Sequence, residues 1–195
     1  MFEIKYRIID HNNILLNYKT TDEEDPIFEG YIQISFGSHK EGYYHENSLY
    51  EGETGNELLD WWLGYFVDVV NHLLSTKYVA FCVPETSTRW MEFKLINKSV
   101  VINIATSIAG TNPLEINEAL VIKKYDGFIY KEPLDFTITF EQFKEEVHAT
   151  VRRFIYELKD INPNLMETRI VKGLLQAISL SKLPCQGDVR LRKNP

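Results

Sequence analysis

Separate strand-like segments on either side of an amphipathic run at 57–76, helical spacing after Thr139 and a two-residue hairpin connection at Asn97-Lys98 predict an α+β fold. The expected architecture is a mostly antiparallel β-sheet with one central and two C-terminal helices packed on one face. At 195 residues the chain can bury a real core, and 44% apolar with 25% charged residues is ordinary for a globular protein. Residues 1–185 are expected to form one domain, with the polar "QGDVRLRKNP" of 186–195 as a mobile tail.

The N-terminal segments "FEIKYRII" and "ILLNYK", separated by "DHNN", predict a hairpin of strands over 2–9 and 14–19. "EGYIQISF" alternates Tyr31, Gln33 and Ser35 against Ile32, Ile34 and Phe36, a third strand. Further on, "KYVAFCV", "RWMEFKLI" and "SVVINIA" predict strands over 77–83, 89–96 and 99–105. Only Asn97-Lys98 separates the last two, as a tight hairpin turn demands. "EALVIKKY" (118–125) and "DFTIT" (135–139) are expected to add later strands.

The most apolar run, "ELLDWWLGYFVDVVNHLLST" at 57–76, is broken by Asp60, Asp68, Asn71 and His72. A membrane span needs about 20 apolar residues and tolerates an intramembrane Asp poorly. On a helix of 3.6 residues per turn, Leu58, Trp62, Tyr65, Phe66, Val69 and Leu73 share a broad face, so the run predicts a helix laid on a core. Thr54 with Glu57 predicts its capping box. Thr139 with Gln142 predicts a second, opening a helix that buries Phe140, Phe143, Val147, Val151, Phe154, Ile155 and Leu158. Asn162-Pro163-Asn164 ends it, and a last helix over about 165–180 is expected to bury Ile170, Leu174, Leu175 and Ile178.

Charge is unevenly distributed. Of the net −7, residues 1–75 carry −10 and residues 76–195 carry +3. Such a field favours a cationic partner on the N-terminal side and disfavours nucleic acid there, because phosphate contacts need Lys and Arg. Cys82 and Cys185 form no framework pattern and are expected to be free thiols, which with the charged, alternating N-terminus suggests a cytoplasmic protein.

Catalytic motifs are scarce. The chain holds no Walker loop, dinucleotide fingerprint or GxSxG elbow, and the His45-Glu46 start of an HExxH ends in Leu49, so no cofactor or metal is expected. His39 and His45 flank "GYY" in an expected loop. Asp68 and His72, four apart on a helix, read as a polar rim. Cys82 within "VAFCV" reads as a small buried hydrophobe. Glu92-x-Lys94 on a strand matches the carboxylate and lysine of nucleases of the restriction-endonuclease type, with Asp68 as a further acid. Alternating Glu and Lys on a strand more often means a solvated face with cross-strand pairing, the expectation adopted for Glu92 and Lys94.

Two segments read as binding surface. "TTDEEDP" gathers Asp22, Glu23, Glu24 and Asp25 in a loop, and the long connection 37–55 sets Tyr43, Tyr44 and Tyr50 among Glu46, Glu51 and Glu53. Tyrosines supply contact area at small entropic cost, and carboxylates steer a basic partner. The expectation is a non-enzymatic protein that masks a cationic protein partner, engaging neither nucleic acid nor membrane. In size, acidity and lack of catalytic motifs the chain is similar to bacterial immunity proteins that neutralise basic toxins. A small-ligand-binding domain is the other non-catalytic alternative.

Overall fold

The computed structural model describes residues 1–50, 52–108, 119–131 and 136–180. Strand β1 (Phe2–Ile8) pairs antiparallel with β2 (Glu29–Phe36), not with the segment that follows it. That segment is a 3-10 turn (His11–Asn13) leading into a short helix, α1 (Ile14–Asn17). The expected second strand at 14–19 is therefore corrected. The Asp10 carboxylate accepts from the Leu15 and Leu16 amides at 2.8 and 3.0 Å, so the backbone is satisfied locally and needs no ladder. From the far end of the chain, Asn162 Nδ2 donates to the carbonyls of Leu15, Leu16 and Tyr18 and holds the turn in place.

Strand β3 (His39–Tyr43) follows β2, and the two-residue β4 (Glu57–Leu58) pairs with Glu29 and Gly30, completing sheet A. Helix α2 (Leu59–Thr76) starts only after β4, so the Thr54–Glu57 capping box does not form. The reason is steric and comes from a residue distant in sequence. Gly55 lies against the Gly30 backbone, where any Cβ would collide, and this keeps the chain extended through Leu58. Glu57 instead accepts from Trp62 Nε1 at 2.6 Å.

Sheet B is built from β5 (Tyr78–Cys82), β6 (Arg89–Ile96), β7 (Ser99–Ser107), β8 (Leu120–Val121), β9 (Phe128–Ile129) and β10 (Phe136–Thr139). The order is β10-β7-β6-β5-β8, with β9 also on β7. Asn97 and Lys98 both take positive φ, 48° and 70°, the geometry a two-residue hairpin needs. Of the expected 118–125 strand, Glu118 lies outside the described residues, and among the rest Leu120–Val121 pairs.

Thr139 caps α3 (Phe140–Ile161) as expected, its Oγ1 accepting from the Gln142 amide at 3.3 Å. A 3-10 turn (Pro163–Glu167) then precedes α4 (Arg169–Leu180). Thr168 starts α4 by accepting from the Val171 amide, which sets a phase that buries Val171, Leu174 and Ile178 and exposes Leu175. This corrects the expected face at Leu175, while Ile170 is half-buried against the core and Leu174 and Ile178 are buried as expected. Residues 186–195, the expected tail, lie outside the described residues.

The architecture is α+β, with two antiparallel sheets in place of one. A single apolar cluster runs through the inner faces of both and through α2, α3 and α4. Trp62, Phe66, Val69 and Leu73 of α2 are all fully buried, while Trp61 is 54% exposed. Among the described residues no helix is long and apolar enough to cross a membrane. Trp62→Ala should cost about 3–5 kcal/mol in a denaturant melt, as large aromatic truncations in cores do. Trp61→Ala should stay within about 0.5 kcal/mol of the parent. Equal effects of the two substitutions would contradict this placement.

Candidate functional site

Helices α2 and α4 pack side by side, and the loop before β2 closes over one end of the seam. Between them lies a cavity of about 730 Å³ lined by Glu24 and Asp25 from the loop, Asp60, Gly64 and Asp68 from α2, and Arg169, Gly173 and Ala177 from α4. A Cβ at Gly64 or Gly173 would meet nothing within 4 Å, so both glycines leave the groove open. Four carboxylates face one guanidinium. That cation is already engaged, since the Arg169 amide and Nε donate to Asp25 Oδ2 at 2.8 and 3.3 Å.

Burial raises the pKa of Asp60 above the ordinary carboxyl value, outweighing the lowering pull of the helix-terminal amides of Asp60 and Trp61. Partial desolvation raises that of Asp68 too, with His72 pulling the other way, but Asp68 is exposed at the surface of α2 and the effect is screened there. Both are carboxylates that lack sufficient compensating charge. Trp61 precedes Gly64 by three residues and Asp68 by seven, so its exposed indole stands on the same stripe of α2 as the groove. At the start of α2 a smaller cavity, about 340 Å³, gathers Glu29, Glu57 and Glu85. Burial raises the Glu57 pKa, with Glu85 and Glu41 adding to it.

Of the expected binding residues, Glu24 and Asp25 line the groove, Glu23 is exposed, and Asp22 accepts from the Lys19 amide at 2.9 Å and shapes the loop. The tyrosine segment docks elsewhere, on the outer face of sheet A. Glu53 is its hub. Its carboxylate takes the Tyr31 hydroxyl at 2.7 Å, His45 Nε2 at 3.0 Å and the Tyr50 amide at 2.7 Å. Those hydrogen bonds, Tyr31 first, hold its pKa below the usual carboxylate value. Tyr43 and Tyr50 are 58% and 83% exposed, whereas Tyr44 is half-buried beside Lys5 and near the exposed Glu46. Glu51 lies outside the described residues. The hydrogen bonds and ring contacts of the two acidic segments thus reach different elements.

The histidines are not solvated loop residues. His39 belongs to β3 and sits 3.2 Å from Glu41, itself bound to Arg89 across the sheets, and His45 is half-buried against Glu53. Cys82 is buried and free, its thiol pKa raised by burial; Cys185 lies outside the described residues.

Glu92 is a correction. The expected solvated strand face is covered by residues 119–131, and Glu92 is 0% exposed. Its Oε1 accepts from Tyr130 OH at 2.7 Å. Lys94 Nζ lies 2.6 Å from Oε2, a charge contact, yet no hydrogen bond is directed at that oxygen. Asp68 belongs to α2, which packs on the opposite face of sheet B, so it does not join Glu92 and Lys94. Among the described residues no group of three or more His, Cys, Asp or Glu is placed to hold a metal.

The sequence reading missed Asp60, Asp68 and Trp61 as partners of Glu24 and Asp25. The available signal was the polar stripe of the Trp-rich helix, whose spacing puts Asp60, Gly64, Asp68 and Trp61 together. Comparison of the chain with protein-family models, curated proteins and solved structures finds no match in any of the three.

The Asp60 geometry has a measurable consequence for folding. Its pKa is higher folded than unfolded, so its favourable contribution is present in acid and is lost as pH rises through the folded value. Asp60→Asn should therefore melt above the parent at pH 7, and the gain should vanish as pH falls below about 4. A variant that melts below the parent at neutral pH would contradict the assigned desolvation.

Proposed function

We propose that this protein is a non-enzymatic binder of a cationic protein partner, received by the groove between α2 and α4. The observation that carries this is the gathering of Glu24, Asp25, Asp60 and Asp68 around one open cavity in which the one lining cation among the described residues, Arg169, is already paired. Carboxylates kept partly desolvated oppose folding, so a role in recognition accounts for them better than a role in stability. An incoming lysine or arginine would supply the missing counter-charge. Trp61 offers an exposed aromatic anchor on the rim, the residue type that dominates interface energetics. The concrete form of the reading is a cytoplasmic immunity protein that neutralises a basic toxin domain.

Binding of a lysine- and arginine-rich peptide, with a glutamate-rich peptide of equal length as control, tests the reading by stopped-flow kinetics. Association should slow as salt rises, because exposed charges beyond a Debye length of about 8 Å are screened at physiological ionic strength. Asp68→Lys and Glu24→Lys should each weaken binding about tenfold, chiefly through the on-rate. Trp61→Ala should act on the off-rate, by about tenfold, because packed anchors give contact and no steering. Equal binding of the two peptides, or indifference to salt and to all three substitutions, would overturn the proposal.

A further inference from the structure

Sheet B is covered on its outer face as well as its inner one. Residues 119–131 begin as β8 on the β5 edge, where Leu120 and Val121 pair with Phe81 and Ala80. They end beyond β9 on the opposite edge, where Phe128 and Ile129 pair with Ser107 and Thr106 of β7. Between those edges the chain crosses over β6. Among the described residues it is held by two pairings at each end, by the Cys82 amide donating to the Ala119 carbonyl at 2.8 Å, and by a small apolar cluster in which the Phe128 ring lies tilted at 5.3 Å from Trp90 and edge-on at 5.0 Å from Tyr125.

Beneath this crossing lie polar groups that closure strips of water. Glu92 is fully buried with no hydrogen bond directed at Oε2, and the Tyr78 hydroxyl is buried without a hydrogen-bond partner. Glu92 and the Tyr125 backbone stand near enough to influence the Tyr78 hydroxyl, but neither completes a hydrogen bond to it. Compensation comes from Lys94, whose Nζ also lies 5.3 Å from the centre of the Tyr130 ring, and from the Tyr130 hydroxyl on the crossing segment itself. Apolar contacts favour closure while desolvation of Glu92 and Tyr78 opposes it. A buried ion pair with imperfect hydrogen bonding contributes little net stability, and removing one member leaves a costly bare charge.

We propose that residues 119–131 are a strap that opens and closes as a unit over sheet B, held near balance by the Glu92–Lys94–Tyr130 latch. In the open position Trp90 and the outer edge of β5 are uncovered; in the closed position both are hidden. The device is independent of the groove between α2 and α4, and its test does not use a partner.

Amide hydrogen exchange on the full chain reads the strap directly, with the amides of Val151 to Leu158 in α3 reporting global opening. In the parent, Val121 and Ile129 should exchange faster than the α3 amides. Lys94→Met, which leaves Glu92 buried and without a counter-ion, should speed strap exchange about tenfold or more while α3 is unchanged. The double variant Glu92→Met/Lys94→Met removes both charges at similar volume, and its strap should exchange more slowly than the parent's. This second variant decides the matter if Lys94→Met does not fold. Strap amides that exchange at the α3 rate in the parent would overturn the proposal. So would a double variant whose strap opens as readily as the parent's, or a Lys94→Met that accelerates strap and α3 alike.

Discussion

The Phe66 ring is the point on which the structure turns. It lies within 5.4–6.5 Å of Phe2 on β1, Trp62 on its own helix, Phe81 and Phe93 on sheet B, and Phe143 on α3. Rings from five elements meet there, so the rotation of α2 about its axis is set by aromatic packing, which tolerates little displacement. Once Phe66 and Trp62 point inward, Trp61, Gly64 and Asp68 have one place to go. Gly64 and Asp68 line the seam with α4, and Trp61 stands exposed on the same stripe. The face that stabilises the fold and the face offered to a partner are thus two sides of one constraint.

Charge placement follows from that geometry. Sheet A and α2 come from the acidic first part of the chain, while α4, from the more basic remainder, contributes Arg169 and lends it to Asp25. Among the described residues the groove therefore keeps an excess of negative charge after its one internal pairing. Asp60 and Asp68 sit where burial raises the energy of their charged forms, so their cost to folding and their attraction for a cation have the same origin. Glu53 is the opposite case. Its hydrogen bonds stabilise its charge, and it organises the tyrosine segment.

Elements specified by neighbouring residues were legible in the sequence. Asn97-Lys98 marked a hairpin, Thr139 with Gln142 marked the start of α3, and the core faces of α2 and α3 followed from their spacing. Elements decided by distant residues were not. Ile14 to Lys19 has strand composition, but Asp10 and the remote Asn162 satisfy its backbone as a turn. Thr54 and Glu57 spell a capping box that the Gly30–Gly55 approach overrides. Glu92 alternates as an exposed strand residue does, and among the described residues the crossing of 119–131 covers it. The groove was half legible: the "DEED" run and the polar stripe of the Trp-rich helix were both visible, but their meeting depends on α4, whose phase is set by Thr168.

Amide chemical-shift mapping during titration with an arginine-rich peptide tests most directly whether α2 divides into a structural face and a recognition face. The account predicts shifts at Gly64, Asp68, Gly173 and the Trp61 indole, with the Trp62 indole and the amides of β6 unmoved. Shifts confined to Tyr43–Tyr50, or spread evenly over the acidic surface with none at the groove, would contradict it.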